Sequence, residues 1–381
     1  MAYFDNAATT YPKPGCVYDF MDSFYRTCGA SAGRGSYKLA KSAGALIQDT
    51  RKRLQELLHC EAKQIVFEPT ATIALNVIIQ GMIAKGATNI YISPFEHNAV
   101  TRTLHHFEEA GQITVRQLSV SKEMVFDLEK IRYQFDHEKP DFVIVSHAGN
   151  VFGLIAPVED IFRLSKSYGA VNLVDMSQSA GLVDLNVGLS TIDFAVFAGH
   201  KTLYGPTGIS GFAMNPAIRL PAVLFGGTGY ESANQDMPAD IPQRYEMGTL
   251  NIAGIAGLNA ALKWIAETTV GAIAKKEAEH RARLKELIKR YSCMKIIGDF
   301  ENNRYVGIVS CLLEGISSDS AGPLFDRCGI AVRTGLQCAP LAHKFMGTYP
   351  AGTIRFSVGY FTSDQDFAEL QQTLDYIESE I

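Results

Sequence analysis

A chain of 381 residues has room for two or three packed units at roughly 100 to 200 residues each, and its 47% hydrophobic and 20% charged content excludes an intrinsically disordered polymer. Lys plus Arg number 35 against 40 Asp plus Glu, giving a net charge of −5 with no dense basic run, so nucleic acid is not an expected partner. The seven cysteines (Cys16, Cys28, Cys60, Cys293, Cys311, Cys328 and Cys338) are odd in number, scattered and free of any C-x-x-C pair, which points to reduced thiols rather than a disulfide framework or a zinc knuckle.

The opening MAYFDNAATTYPKPG turns polar within five residues; without the charged start and apolar core of a secretory signal, a cytoplasmic protein is expected. Apolar residues at 39, 43, 46, 47, 54, 57 and 58 predict an amphipathic helix over Leu39–Leu58, leading into a strand at Gln64–Glu68. The most apolar stretch, Ile73–Ala84, is interrupted by Asn76, Gln80 and Gly81 and falls short of the ~20 residues that span a bilayer, so no membrane partner is expected. Further strands are predicted at Asn89–Ser93, Ile113–Leu118, Phe142–Ser146, Val171–Asp175, Asp193–Ala198 and Gly208–Met214, with helical patterns between many of them. Such alternation reads as α/β with a mainly parallel sheet. The last strand follows the turn Tyr204–Gly208 too closely for a crossover helix and should run antiparallel to its predecessor. From about Asn251 to Arg290 the chain is Ala-rich and laced with Lys and Glu, predicting one long helix or a broken pair that links two domains. A smaller βα unit follows, with strands near Val306–Cys311 and Thr353–Ser357 and a closing helix from about Ser363.

Two strand ends carry opposite charges: VNLVD ends in Asp175, and DFAVFAGHK ends in Lys201. Open α/β sheets bind ligands outside the carboxyl ends of their strands. An amine and a carboxylate there match what pyridoxal phosphate (PLP) demands, a Schiff-base lysine and a partner that keeps the pyridinium nitrogen protonated. Either residue alone reads equally well as a helix cap or a solvated turn residue.

The segments His147-Ala-Gly-Asn-Val-Phe-Gly153, Val174-Asp-Met-Ser-Gln178, Ala198-Gly-His-Lys-Thr-Leu-Tyr-Gly-Pro-Thr-Gly208 and Arg333-Thr-Gly-Leu-Gln-Cys-Ala339 together resemble the class V aminotransferase family, and within it the cysteine desulfurases of the SUF-type group. The resemblance runs in order from Phe4-Asp-Asn-Ala-Ala8 to Arg355. It implies a PLP-dependent transferase fold of type I: a mainly parallel seven-stranded sheet in a large domain of residues 15–260, and a smaller α/β domain of residues 1–14 plus 261–381. By the same resemblance Lys201 is the cofactor lysine, Asp175 the pyridinium partner, Gln178 the donor to the phenolic oxygen and His97 the ring-stacking histidine. Ala71, Thr72 and His200 take the phosphate, a role that suits a helix N-terminus. Thr249, in Glu246-Met-Gly-Thr249, reaches the cup of a partner subunit, which requires a homodimer with a shared site. Arg355, assisted by Asn150 and joined by Arg333 and Arg34, faces the substrate carboxylate, where a planar guanidinium outperforms an ammonium.

Cys338 decides the reaction class. A nucleophilic thiolate needs exposure and an electropositive setting, which Arg333, Gly335, His343 and Lys344 are expected to supply on a mobile loop, whereas Cys60, Cys293, Cys311 and Cys328 are expected as buried fillers. The implied activity is conversion of L-cysteine to L-alanine, with sulfur passed to a Cys338 persulfide and on to an acceptor protein, as in iron–sulfur cluster assembly. Two departures from the family pattern stand out: Ala198 where a serine is usual, and Leu336 and Gln337 where the loop usually carries two histidines. They leave open a lyase or aminotransferase in which no persulfide forms, and a weakly active PLP-binding sulfur-relay partner.

Overall fold

The computed structural model describes residues 1–32 and 35–380, and among them no helix is long and apolar enough to cross a membrane. In chain order the first part holds β1 (Ala2–Tyr3), α1 (Gly15–Cys28), α2 (Lys38–Leu57), β2 (Gln64–Glu68), α3 (Ala71–Ala84), β3 (Asn89–Ile92), α4 (Asn98–Glu109), β4 (Thr114–Gln117), α5 (Leu128–His137), β5 (Phe142–Ser146), α6 (Val158–Ser167), β6 (Val171–Asp175), β7 (Phe194–Ala198) and β8 (Ser210–Met214). Seven of these strands form one sheet in the order β2-β8-β7-β6-β5-β3-β4. Its core from β4 to β7 is parallel, and β8 runs antiparallel to both β7 and β2, as its short connection requires.

Every residue of β5, β7 and β8 is buried, because helices cover both faces of the sheet. The pleat sorts side chains by parity. Val143 and Val145 join a core with α1, α2, α5, α6 and α7 residues such as Val17, Leu46, Phe135, Phe162 and Leu258, while Phe142 and Ile144 join Leu75, Ile78 and Leu104 of α3 and α4.

Beyond β8 the chain continues through α7 (Ile252–Thr268), α8 (Val270–Ile288), β9 (Met294–Ile297), β10 (Ile308–Leu313), α9 (Ser318–Arg327), β11 (Ile330–Ala331), β12 (Arg333–Gly335), α10 (Pro340–Met346), β13 (Thr353–Ser357) and α11 (Asp364–Glu380). Of the two expectations for residues 251–290, the broken pair is found. Thr269 takes a left-handed φ of 71° between α7 and α8, and its hydroxyl accepts the N–H of Ala272 to start the second helix. The antiparallel sheet β12-β13-β10-β9 packs on α8, α9 and α11 through Leu284, Ile288, Phe325, Phe356 and Leu370. Ala2 and Phe4 enter this last core, since β1 pairs with β11 in parallel. The N-terminal residues thus arrive beside β13, with Asp5 bridged to Ser357.

Candidate active site

Parallel strands deliver their last residues to a single edge of the sheet, and that edge is where the polar residues gather. A cavity of about 290 Å³ there is lined by Ala71, Thr72, His97, Asn150, Asp175, Gln178, His200, Lys201, Arg333 and Arg355, along with Ala7, Ala8 and Ser177. Ten of the thirteen predicted site residues therefore converge, drawn from the ends of β2, β3, β5, β6 and β7 and from two strands of the smaller sheet. Of the others, Arg34 lies outside the described residues. Thr249 is exposed and borders a separate groove with Arg51, Glu246 and Thr228, so it does not reach the cavity of its own chain. Cys338 lines the neighbouring groove.

Each side chain is held by its local fold. Asp175, the last residue of β6, is buried and accepts the N–H of Ser177 at 2.9 Å. His97 is the N-cap of α4: its Nδ1 accepts the N–H of Ala99 at 3.0 Å, which leaves the proton on Nε2. Burial, with help from the Lys201 charge, lowers the pKa of His97 to about 4, so the ring is a neutral flat face. The preceding residue, Glu96, is fully buried, accepting from the hydroxyls of Ser93 and Ser146 and from the N–H of Ser146. Burial, outweighing these hydrogen bonds, raises its pKa to about 7.

Lys201 follows β7 by three residues, and the surface it retains belongs to the cavity. Burial lowers its amine to about 8, opposed by Asp175 and reinforced by Arg355 and Arg333. The peptide before it is clamped by the N-terminal segment: the carbonyl of His200 accepts from Thr9 Oγ1 at 2.9 Å and Lys13 Nζ at 2.6 Å, and that of Lys201 from Thr10 Oγ1 at 3.0 Å. Gln178 donates to the carbonyl of Ala7 at 2.7 Å. Arg355, on β13, is buried, with Nη1 on the carbonyl of Asn150 at 2.9 Å and Nη2 on Asp5 at 2.7 Å, while its Nε has no partner among the described residues. Asp5, Lys13, Glu96 and the two threonines were not singled out from sequence, because their importance lies in what packs on them and not in their own spacing.

The surroundings of Cys338 differ from expectation. Its Sγ is 3.5 Å from Arg333 Nη2, and it borders a groove of about 750 Å³ with Asn98, Arg102, Leu336 and Lys344. His343 is no part of a basic neighbourhood: it is fully buried, and burial lowers its pKa to about 4, leaving it neutral. The loop is pinned rather than loose, since Asn150 Nδ2 donates to the carbonyl of Gln337 at 2.6 Å and Asn98 N to that of Cys338 at 2.7 Å. Cys60, Cys293 and Cys311 are buried as expected, but Cys328 is only half-buried.

The family model for class V aminotransferases matches residues 2–370. The chain belongs to the class V aminotransferase family. It is 29% identical over 381 aligned residues to a probable cysteine desulfurase of Methanothermobacter thermautotrophicus, covering 98% of this chain and 94% of that one, and 28% identical to another of Pyrococcus abyssi, covering 95% and 90%. The solved apo structure of a cysteine desulfurase from Thermococcus onnurineus NA1 superposes with a TM-score of 0.90 at 26% identity, covering 100% of this chain and 95% of that one. Class V aminotransferases are PLP-dependent, and the cavity's residues fit that group. Its phosphate end matches His200, whose Nδ1 is buried without a partner among the described residues and whose pKa burial lowers to about 4. Beside it the first N–H groups of α3, at Ala71 and Thr72, have no carbonyl within the helix; Thr70 caps only Ile73. The ring-nitrogen end matches Asp175, which has an oxygen outside its bond to Ser177. With Ala198 in place of the usual serine, this class V aminotransferase offers no hydroxyl at that position to meet the His200 side.

Proposed function

We propose that the protein is a PLP-dependent cysteine desulfurase that converts L-cysteine to L-alanine and leaves the sulfur as a persulfide on Cys338. The observation that carries this reading is the shared wall: Arg333 and Gln337 line both the cavity that holds Lys201 and the groove that holds Cys338. The Cys338 thiol lies on the groove side of that wall, one residue from the Gln337 that borders both spaces.

Bound PLP supplies an electron sink for the pair released at the substrate Cα. The residues do the rest. Asp175 offers a carboxylate to the ring nitrogen, His97 a neutral face to the ring, and Ala71, Thr72 and His200 donors to the phosphate. Arg355 and Asn150 hold the substrate carboxylate, which sets the Cα proton within reach of Lys201. With its pKa brought down to about 8, Lys201 has a sizeable uncharged fraction near neutral pH, and that form accepts the proton. Cys338 as a thiolate, beside the Arg333 cation, attacks the substrate sulfur: a sulfur–sulfur bond forms, the Cβ–S bond breaks with its electron pair kept on carbon, and protonation at Cβ, with return of a proton from Lys201 to Cα, yields alanine. Arg333 and Arg34 remain on the substrate side of this reading.

The division into a large domain of residues 15–260 and a small one of 1–14 plus 261–381 belongs to the same proposal, as do cytoplasmic location, delivery of sulfur to an acceptor protein and a homodimer. Exposure of Thr249 outside its own cavity supports the dimer, in which Lys201→Ala and Thr249→Ala proteins, each inactive, regain part of the activity when their subunits are exchanged. Product analysis with L-cysteine tests the function itself. Alanine with one equivalent of enzyme-bound sulfur is expected; pyruvate, sulfide and ammonia would place the protein among lyases.

A further inference from the structure

Gly335, Gln337 and Cys338 all have left-handed backbone, with φ of 87°, 40° and 59°. Glycine adopts this freely, but two consecutive residues with side chains do not, so something must hold them. The holding group is the side chain of Gln337, which is buried. Its Nε2 donates to the carbonyl of Thr353 at 2.9 Å, and its Oε1 lies 2.9 Å from His343 Nε2. Because the amide nitrogen is engaged with a carbonyl, Oε1 must be the acceptor, and His343 therefore carries its proton on Nε2. His343 Nδ1 is then an acceptor, 2.8 Å from the hydroxyl of Thr348. The direction of every proton in this chain is fixed from β13 to the end of α10.

We propose that Gln337, His343 and Thr348 form a latch that keeps the Cys338 thiol on the groove side, and that Asn150 couples the latch to substrate. Gln337 and His343 are positioning residues in this scheme. Two observations support the coupling. Cys338 borders the groove but not the catalytic cavity, whereas Gln337 borders both. The carbonyl of Gln337, the atom next to Cys338, is held by Asn150 Nδ2, and the carbonyl of Asn150 is held in turn by Arg355. A carboxylate that takes up Arg355 and the Asn150 amide withdraws the donor from Gln337. The peptide between Gln337 and Cys338 is then free to turn, and the strained backbone drives the thiol inward. Both amide protons of Gln337 have carbonyl partners, Thr353 at 2.9 Å and Arg333 at 3.4 Å, so it holds the loop in place of acting as an acid. The coupling to substrate rests on the desulfurase reading; the latch does not.

The test measures alkylation of Cys338 by iodoacetamide in the full-length holoenzyme, followed by mass spectrometry of its peptide, with exposed Cys16 as internal reference. Gln337→Met keeps the side chain's length and removes all of its hydrogen bonds, the two close ones to Thr353 and His343 and the longer ones to Arg333 and Thr353 Oγ1. It is expected to change the Cys338 alkylation rate about tenfold, the factor that one or two modest hydrogen bonds carry, with Cys16 unaffected. Thr348→Val, which removes only the outer bond and leaves the buried residues untouched, should shift the rate in the same direction by a smaller factor. Both variants should alter kcat for alanine formation while KM for L-cysteine stays at the wild-type value, a split that general loosening of the fold would not give. Wild-type alkylation rates in both variants would overturn the latch. Should the wild-type enzyme form no persulfide, the desulfurase reading fails, and the alkylation rates still decide the latch. An unchanged wild-type alkylation rate on adding a carboxylate analogue of cysteine lacking the thiol would overturn the coupling through Asn150.

Discussion

Lys201 and Cys338 each stand three residues beyond a strand, yet the two strands hold them by different means. β7 lies inside a sheet whose neighbours continue on both sides, and Lys201 inherits its position from that stack, with the clamp of Thr9, Thr10 and Lys13 as reinforcement. β12 is a three-residue edge strand, and Cys338 inherits little from it; side-chain hydrogen bonds and a left-handed turn do the placing. A residue that must stay still is put on a buried sheet, and a residue that must move between two compartments is put on an edge and restrained by bonds that can be exchanged.

This contrast can be broken at four points. The largest effect is expected at the sheet. Lys201→Ala should lose the visible absorbance of the lysine-bound cofactor and drop turnover by about 10³ or more; a variant that keeps a borohydride-fixable link to the cofactor would remove Lys201 from its role. Cys338→Ser, on the edge, should bind cofactor and L-cysteine normally but lose alanine formation by about 10² or more, since a hydroxyl is a poor nucleophile toward sulfur. Release of alanine at the wild-type rate would make the thiol incidental. Arg355→Lys keeps the charge and discards the fork, so KM for L-cysteine should rise roughly tenfold with the cofactor spectrum unchanged.

The smallest effect concerns Glu96, under the sheet edge. Its folded pKa of about 7 is above the ordinary 4.5, so the unfolded chain ionises first as pH rises. The contribution of Glu96 to stability is therefore complete below about pH 4.5 and is lost as pH climbs through 7. Glu96→Gln removes the titration while keeping an amide that can donate to Ser146. Its Tm relative to wild type should rise by roughly 2 °C or more between pH 5 and pH 8, and parallel melting curves at the two pH values would reject the assignment.

What could be read from sequence follows the same division. Buried parallel strands announce themselves as apolar runs, and Phe142–Ser146 and Val171–Asp175 were placed to the residue; Asp175 and Lys201 came with them. β12 has no periodicity in its Arg-Thr-Gly and exists only because β13 offers a register, with Arg333 opposite Arg355. The short β1, β9 and β11 went unseen for the same reason. His343 looked basic because a histidine beside a lysine on a loop usually is; only the packing around α10 makes it neutral. Gln337 looked like a loss relative to the usual histidine, and the partners that give it a task, Thr353 and His343, are set by tertiary contact. Asp5, bound to Arg355, was likewise hidden by distance along the chain.

That distance has its own consequence for how the protein comes into being. Asp5 and Arg355 are 350 positions apart, and β1 finds no strand to pair with until β11 has been made. At a synthesis rate of ~5 to 20 residues per second, the first residues emerge well over ten seconds before their partners do. The large sheet can condense during that interval, but the wall of the cavity formed by Ala7, Ala8 and Arg355 cannot. Completion of the Arg355 side of the cavity is therefore a late event in biogenesis, and a ribosome-stalled chain ending before β13 should fold its sheet, with Asp175, His200 and Lys201 in place, and yet lack that wall.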